Sequence, residues 1–525
     1  MLLIKRQYAG SRINRWLVAA LLGASLVGAT AATRAEIVVR YVEGADIDTL
    51  DPAVSRSRPS QIVSRHVFDT LVRWKDTTLS AIVPDLAESW EISPDKRKWT
   101  FKLRRGILFQ DGTPFNAAAV KFNLDRVMDP QLGSPNRSLY TGISNVNVVD
   151  DFTVVIETEA PMPTLLEALS GENSGMNSPA AVEKYGRRYG RNPVGTGPYM
   201  VKEWTPGERC IMVRNPRYTG PKPKPDTIVY RPVPEGGARV VELQSGNADI
   251  VTGIPPEAVE GLKKTRGIRV EILPSSFQLF FELNTTRPPF NDVRVRRAVN
   301  LAIDRKAIIE KILGGYGENP DGLFPPGVQG RVKFKPYAYD PEQAKKLIQE
   351  VYPDGYKDTV VMWTTEGRYM KDRSVAEAVQ GYLNKLGFKT EFRVWEWATY
   401  QRTLYKPEPG KGTGKGSNEA NMWFLGTSIP AADWRLRRKV ATGDASNLTG
   451  YSDPAVDELL AKAAVNMDYK QRMAQLGEIQ RIFWEKNPGW LFLFNQVQII
   501  GMRDKVKGLE MFAFELPVLN NVTTN

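Results

Sequence analysis

Hydrophobic and polar positions form their clearest pattern between residues 86 and 130. Apolar and polar residues alternate through 98–103, which is the two-residue period of a half-buried strand. Turn-forming residues lie before this strand at 93–95 and after it at 111–114. Asn116 then precedes a segment whose apolar residues mostly recur at helical spacing. The pattern predicts strands joined by turns, followed by a helix that Asn116 caps.

Helical and strand periods alternate along the rest of the chain, which indicates an α/β protein. Predicted helices occupy 292–313, 341–350, 373–386, 454–465 and 470–486, and predicted strands occupy 37–41, 226–230, 271–284, 359–363, 389–394 and 490–494. The strands at 277–283 and 490–494 are candidates for crossing between two lobes, as a hinge-bending protein needs. The Gly- and Lys-rich stretch 406–418 predicts a surface loop.

The N-terminus has the pattern of a secretory signal peptide. Basic residues precede an apolar stretch at 16–28, and small residues follow it, with possible cleavage after Ala31 or Ala35. We expect the processed protein to begin near Glu36 and to reach the periplasm of a Gram-negative-type cell. An uncleaved anchor is the alternative, although the apolar stretch is short for a membrane span. No cysteine ends the segment, which argues against a lipid anchor.

Length and charge limit the remaining function classes. A chain of 525 residues exceeds one hydrophobic core, so we expect two or three domains. Removing residues 1–35, with five cations and no acid, lowers the formal net charge from +12 to +7. Because no long basic stripe accompanies this charge, we expect no nucleic-acid partner. Cys210 is the single cysteine, so the chain has no intramolecular disulfide.

Motifs of catalysis and metal binding are missing or incomplete. His66 is the only histidine, which excludes multi-histidine metal sites and the usual histidine triads. Ser93 and Lys96 match an S-x-x-K pattern, but S-D-N and K-T-G do not occur. Residues 411–417 lack the opening glycine and the Ser or Thr of a phosphate loop. We therefore predict no catalytic residue, no metal and no cofactor, with an exported hydrolase as the remote alternative.

Aromatic residues concentrate at strand-to-loop junctions between 363 and 434. Trp395, Trp397 and Trp423 belong to this group. A tryptophan offers a broad rigid face and one N–H donor, which suits it to holding varied small molecules. Core packing is the alternative for each of them. Their concentration favours a cleft wall for at least some.

Four segments occur in a characteristic order. They are FQDGTPFNAAAVKFNLDR at 109–126, NPVGTGPYMVKEWTPGERCIMVRNPRY at 192–218, RPPFNDVRVRRAVNLAIDRKAII at 287–309 and GYSDPAVDELLAKA at 450–463. Together they resemble the signature regions of the family 5 extracytoplasmic solute-binding proteins, the receptors of peptide-type ABC importers. The resemblance runs through nearly the whole mature chain and is greatest to the glutathione- and dipeptide-binding branch.

This resemblance implies an α/β fold of the type II periplasmic binding protein kind, with two hinged α/β lobes and a family-specific extra domain. Domain I would combine residues 36–70, 190–276 and 489–525. The extra α+β domain would fill 71–189, and the second ligand-binding lobe 277–488. Ligand would be enclosed between the lobes and delivered to an ABC permease in the inner membrane. We expect a monomer.

The implied ligand is a short peptide or a peptide-like compound. An opine, an oligosaccharide or another anionic conjugate is the alternative within the same fold. Ligands of α/β lobes bind beyond the carboxyl ends of strands. On that ground the predicted ligand-binding residues of the second lobe are Trp395, Trp397, Trp423, Thr427, Ser428 and Asp433. The resemblance places the loop with Arg56 and Ser57 across the cleft, and we predict that these two residues also contribute.

One position departs from the family pattern. Peptide-binding relatives carry an acid that neutralises the ligand's α-ammonium group, and the resemblance places it here at Pro430 or Ala431. A desolvated ammonium group needs a counter-charge. Recognition of a free peptide N-terminus is therefore an open question for the sequence.

Overall fold

A computed structural model describes residues 36–55, 57–405, 419–427, 432–444 and 446–524. Residues from Ile37 onward cluster into one unit. Within the described ranges, none of the helices combines the length and the apolar character needed to cross a membrane.

The described strands are numbered in chain order. They are β1 (Val38–Glu43), β2 (Val72–Trp74), β3 (Ile82–Pro84), β4 (Ala87–Ile92), β5 (Lys98–Leu103), β6 (Ile143–Asp150), β7 (Thr153–Thr158), β8 (Tyr199–Thr205), β9 (Arg209–Arg214), β10 (Thr227–Pro232), β11 (Ile250–Thr252), β12 (Ile268–Leu283), β13 (Gly317–Glu318), β14 (Thr359–Thr365), β15 (Lys389–Trp395), β16 (Met422–Thr427), β17 (Trp490–Arg503), β18 (Glu510–Met511) and β19 (Pro517–Val518).

The described helices are numbered in the same way. They are α1 (Arg58–Val67), α2 (Ala117–Met128), α3 (Leu165–Ser170), α4 (Pro179–Tyr185), α5 (Gly236–Gln244), α6 (Val259–Lys263), α7 (Val293–Leu301), α8 (Arg305–Lys311), α9 (Pro341–Val351), α10 (Asp372–Lys385), α11 (Trp397–Leu404), α12 (Ala432–Val440), α13 (Pro454–Val465) and α14 (Tyr469–Arg481). Short 3₁₀ turns occur at Pro130–Leu132, Arg137–Leu139, Glu172–Ser174, Gly186–Arg191 and Pro256–Ala258, and a π-helical turn at Ile482–Lys486 follows α14.

One large sheet organises the molecule. Eleven of the described strands form it in the order β15-β14-β16-β12-β17-β11-β1-β10-β9-β8, with β13 beside β17. β14 runs parallel to β15 and β16, and β1 runs parallel to β10 and β11. Between these two parallel groups, β12 and β17 pair antiparallel along most of their length, and each also pairs with one group. The strands predicted at 277–283 and 490–494 are therefore present, and they join the two parallel groups of the sheet.

A smaller sheet covers part of the predicted extra domain. Its strand order is β4-β5-β7-β6, with antiparallel pairing throughout. Helices α2 and α3 pack with these strands around a separate apolar cluster that includes Phe101, Val120 and Leu165. Most members of this cluster lie within 87–169, and Ala53, Leu71, Val72, Leu86 and Met176 complete it.

Side-chain alternation covers the large sheet with apolar clusters on both faces. On β16, Met422 packs into one cluster together with Phe281 of β12. The next residue, Trp423, points to the opposite face and packs with Phe280. Strands β1 and β17 divide their apolar residues in the same manner. A sheet covered on both faces is typical of an α/β protein, and the predicted fold class is confirmed.

The segments 109–126 and 192–218, which carry the family resemblance, meet at the C-terminal end of α1. Gln110 donates through Nε2 to the carbonyl oxygens of Val67 at 3.0 Å and Tyr199 at 2.8 Å. The backbone N–H of Gly195 donates to Oε1 of Gln110 at 3.2 Å. A Cβ at Gly195 would lie 2.2 Å from the carbonyl oxygen of Val67, so only glycine fits there. These motifs are packing elements that hold α1 in place.

One predicted helix boundary is confirmed and another is missed, because the second segment contains an additional helix cap. Asn116 accepts a hydrogen bond from the N–H of Ala119 at 3.0 Å and caps α2, as predicted. The single helix predicted over 292–313 is wrong, because Asp304 accepts from the N–H of Ala307 at 2.9 Å and starts a second helix, α8. The predicted loop at 406–418 lies outside the described residues.

Cys210 lies in the interior of β9 and has no solvent exposure. Burial raises the pKa of its thiol to about 12. The side chain therefore packs as a small apolar group.

Candidate functional site

A cavity of about 210 Å³, which we call the central cavity, lies beside the connecting strands. Its wall combines residues of four regions that are distant in sequence. They are Ser57, Arg58 and Gln61 of α1 and its cap, Asn136, Glu167 and Asn173 of the segment around α3, Phe277 of β12, and Arg368, Tyr369, Trp397, Thr427 and Arg438 of the part that contains β14 to α12. Because both parts of the sheet contribute to the wall, the shape of the cavity depends on how these parts are placed relative to each other.

Arg368 follows β14 in a loop that one carboxylate holds. Asp372, at the start of α10, accepts hydrogen bonds from the N–H groups of Gly367 at 3.1 Å, Arg368 at 3.1 Å and Tyr369 at 3.2 Å. It also accepts from the hydroxyl of Thr365 at 2.9 Å. These bonds fix the loop at the carboxyl end of β14, which is where ligands of parallel sheets bind.

Aromatic rings surround the guanidinium group of Arg368. Its central carbon lies 4.8 Å from the ring centroid of Tyr369, 5.3 Å from that of Trp397 and 5.4 Å from that of Phe277. Tyr369 and Trp397 meet edge to face with their centroids 5.9 Å apart. Such cation–π contacts hold a cation in place without neutralising its charge.

The N-terminal end of α1 forms the facing wall. Ser57 caps the helix by accepting from the N–H of Ser60 and donates its own hydroxyl proton to Asp48 at 2.6 Å. Arg58 donates through Nη1 to Oε1 of Gln61 at 2.7 Å. Burial lowers the pKa of Arg58 to about 10, so the group is still a cation at neutral pH. A helix N-terminus and a guanidinium group together favour an anion on this side.

Two side-chain oxygen atoms of the wall are buried without a hydrogen-bond partner among the described residues. They are Oε2 of Glu167 and Oγ1 of Thr427. An unsatisfied buried polar atom costs about 1–3 kcal/mol. Both atoms are therefore suited to contact a polar group of a ligand.

Lys439 also lines the central cavity, but its charge is already matched. Its ammonium nitrogen lies 2.7 Å from Oε1 of Glu282, and the indole N–H of Trp423 donates to the other oxygen of the same carboxylate at 2.7 Å. The side chains of Lys439 and Glu282 are almost completely buried. This network ties α12 to the sheet, so the ammonium group of Lys439 is already engaged by the protein.

The structure brings three of the predicted ligand-binding residues to the central cavity. Ser57, Trp397 and Thr427 belong to its wall. The predicted residues Arg56 and Ser428 lie outside the described residues, as do Pro430 and Ala431.

The other three predicted residues do not belong to the described wall. Trp423 is fully buried in the core, and Trp395 packs against Trp363 with centroids 5.0 Å apart and the rings tilted by 55°. Asp433 lies 3.2 Å from Nε of Arg472, and burial raises the pKa of its carboxyl group while Arg472 opposes the shift. Trp423 faces the core because it lies inside a strand, whereas Trp397 begins the helix after β15.

Sequence reasoning missed several residues of the wall. Arg368 could have been found, since it follows a buried strand and precedes a helix. Arg58 lies two positions from the predicted Arg56. No feature of the sequence singles out Glu167, because its position depends on how the segment around α3 folds against α12.

A second cavity of about 330 Å³ adjoins the first and shares Arg368 and Tyr369 with it. Glu257 and Lys371 face each other across its rim, with Nζ of Lys371 2.5 Å from Oε1 of Glu257. This ion pair joins the loop before α6 to the loop before α10, and both side chains are partly exposed to solvent.

Three comparisons with known proteins place the chain. Residues 81–420 match the family model described as bacterial extracellular solute-binding proteins, family 5 Middle. The glutathione-binding protein GsiB of Escherichia coli O1:K1 / APEC is 33% identical over 484 residues, which are 90% of this chain and 92% of the relative.

Solved structures agree with this assignment. The periplasmic binding protein DppA of Helicobacter pylori, in complex with peptide STSA, has a TM-score of 0.83 and 28% identity, and the match covers 93% of this chain and 98% of that one. AgaA from A. tumefacien R10, in complex with agropinic acid, has a TM-score of 0.81 and 25% identity, with 92% and 98% coverage. This chain belongs to the family 5 bacterial extracellular solute-binding proteins.

Proposed function

We propose that this protein is the periplasmic receptor of an ABC importer, and that it captures short peptides or peptide-like compounds in the central cavity. The observation that supports this most directly is the composition of the wall. Cations and aromatic faces come from both parts of the large sheet, and of the two carboxylates in the wall, Glu172 forms an ion pair with Arg65 at 2.8 Å. A wall of this kind suits reversible binding better than bond cleavage.

Arg58 and Arg368 would bind the carboxylate of the ligand. Both guanidinium groups lie in the wall, and each has an Nε that is buried without a hydrogen-bond partner among the described residues. Guanidinium groups match carboxylates in geometry, and charge-assisted hydrogen bonds are stronger than neutral ones. The aromatic faces of Tyr369 and Trp397 would contact apolar parts of the ligand, and water would fill the rest.

Binding would close the two lobes. We retain the predicted division into domain I, the extra domain and the second lobe, with β12 and β17 as the hinge. A ligand that contacts both lobes only in the closed form shifts the equilibrium by its differential affinity. A change from about 1:99 to 99:1 requires roughly 5.5 kcal/mol of such preference.

The proposal includes export and delivery. Residues 1–35 would be removed as a signal peptide, and the mature monomer would dock on an inner-membrane permease. N-terminal sequencing of the periplasmic fraction should find a start within a few residues of Glu36, without lipid. An intact residue 1 in the membrane fraction would contradict this part.

An anionic opine-type ligand is the second candidate. Two arginines in one wall would suit a ligand with more than one carboxylate, and AgaA, in complex with agropinic acid, is one of the structural neighbours. Agropinic acid therefore belongs in the panel of test ligands.

The test is a binding and stability assay on the exported, purified protein. Probes are glutathione, the dipeptide Met-Leu, the tetrapeptide Ser-Thr-Ser-Ala and agropinic acid. We expect saturable one-to-one binding of at least one peptide probe by calorimetry, and mass spectrometry should recover that probe intact.

Two results would overturn the proposal. Binding of agropinic acid alone would favour the opine-type receptor. Cleavage of a probe that persists through further purification would favour the hydrolase.

A further inference from the structure

Glu167 is one of two acids in the wall of the central cavity, and the other, Glu172, forms an ion pair with Arg65. Glu167 lies on α3, and its Oε2 is buried without a hydrogen-bond partner among the described residues. A buried carboxylate without a cation is costly to the ligand-free protein. A ligand that brings a cation to this position would offset that cost.

The charges that act on Glu167 come from α12 and α14. Asp433 of α12 disfavours the ionised form and Arg472 of α14 favours it, while burial is the largest influence and raises the pKa of Glu167 to about 7. Arg472 is already engaged by Asp433, whose Oδ2 lies 3.2 Å from its Nε. The same guanidinium group therefore acts on two carboxylates, and its direct ion pair is with Asp433.

Arg58 belongs to a different electrostatic neighbourhood of the same cavity. The strongest charges on it are Glu172, Glu515 and Arg368, whereas Asp433 and Arg472 act on Glu167. The wall therefore offers guanidinium groups at Arg58 and Arg368 and a carboxylate at Glu167, each with different charged neighbours. Such a distribution matches a zwitterionic ligand better than one with anionic groups alone.

We propose that Glu167 binds the ammonium group of the ligand, and that the protein selects peptide-like compounds with a free amino group. The carboxylate of the same ligand would lie toward Arg58 and Arg368. Thr427, with its unpartnered hydroxyl oxygen, supplies a neutral acceptor in the same wall. This inference rests on the proposed peptide-receptor function and names the chemical group that the site recognises.

The test compares amine-bearing probes with their N-acetylated forms. Glutathione, Met-Leu and Ser-Thr-Ser-Ala are titrated by calorimetry into wild type, Glu167→Gln and the control Glu183→Gln. Glu183 is an exposed acid on α4, so its substitution makes the same charge change away from the cavity. The glutamine variant keeps the shape of Glu167 and removes a buried charge, so it should fold.

Wild type and Glu183→Gln should prefer the free amine by roughly thirty-fold or more, the size expected for loss of a buried charge partner. In Glu167→Gln the preference should fall toward one. An unchanged preference in Glu167→Gln would overturn the inference while leaving the peptide receptor intact. Failure of every amine-bearing probe to bind wild type would overturn the proposed receptor instead, and this inference with it.

A pH series gives a second readout. Ionised Glu167 attracts the ammonium group, so the preference is present above the pKa of Glu167 and is lost as the pH falls through it. The wild-type preference should therefore decrease from about pH 7.5 to about pH 5.5, where a peptide amino group stays largely protonated. The same series on Glu167→Gln should be flat, and an equal decrease in both proteins would also contradict the role of Glu167.

Discussion

Trp423 and Trp397 come from the same part of the molecule and were predicted to have the same role, yet their surroundings differ. Trp423 lies inside β16, is fully buried, and donates its indole N–H to Glu282. Trp397 begins α11, is half-buried, and lines the central cavity beside Arg368. The difference teaches that position relative to the end of a strand, and not residue type, separates a core aromatic from one that lines a cavity.

The largest loss of stability should come from truncating Trp423, the tryptophan in the core. Trp423→Ala removes a fully buried indole and leaves Glu282 without one donor, so unfolding free energy should fall by roughly 3–5 kcal/mol. Denaturant and thermal unfolding of ligand-free protein measure this. Unchanged stability together with lost ligand affinity would reverse the comparison and make Trp423 a binding residue.

Breaking the charge network beneath Trp423 should have a similar or slightly smaller effect. Lys439→Met leaves the carboxylate of Glu282 buried without its cation, and such losses typically cost about 3–5 kcal/mol. Combining it with Glu282→Gln removes the uncompensated charge. The double variant should recover much of the stability, and a double variant as unstable as Lys439→Met would show that packing dominates.

Substitution of Trp397, the tryptophan that lines the cavity, should affect ligand binding more than folding. Trp397→Ala should lower the affinity for a bound peptide probe by at least about 2 kcal/mol, because buried tryptophans at binding centres are often hot spots. Trp395→Ala is the matched comparison, since Trp395 lies outside the described wall. Calorimetry should give it the smaller loss of affinity, and a larger loss than in Trp397→Ala would restore Trp395 as a ligand contact.

The smallest effect should come from the ion pair at the rim of the second cavity. Both side chains of Lys371 and Glu257 are partly exposed, so Lys371→Ala should change stability by less than about 1 kcal/mol. The difference from wild type should shrink further as salt is added. A change of several kcal/mol that salt does not reduce would mean that this contact does more than a surface pair.

Sequence patterns predicted the elements whose determinants are local. The cap of α2 by Asn116 and the alternation in β5 depend on a few neighbouring residues, and both are present. The break before α8 was missed, because apolar residues recur at helical spacing on both sides of Asp304. The pattern therefore gives no sign that Asp304 caps a second helix.

The wall of the central cavity was predicted only in part, because its residues meet through packing. Trp397 and Thr427 follow or end strands, which the sequence could indicate. Glu167 faces Asp433 and Arg472 from more than 260 positions away, and no local pattern encodes that approach.

The reactivity of the buried thiol of Cys210 can report local opening of the sheet at β9. With a pKa of about 12 and no exposure, the sulfur is protected from alkylating reagents while β9 is paired with its neighbours. Labelling at neutral pH must then wait for this edge of the sheet to open. Because the sequence contains one cysteine, a chain that has gained the mass of one reagent molecule has been labelled at Cys210. The rate of alkylation, followed with and without ligand, would show whether occupancy of the cavity steadies a strand at the far side of the sheet.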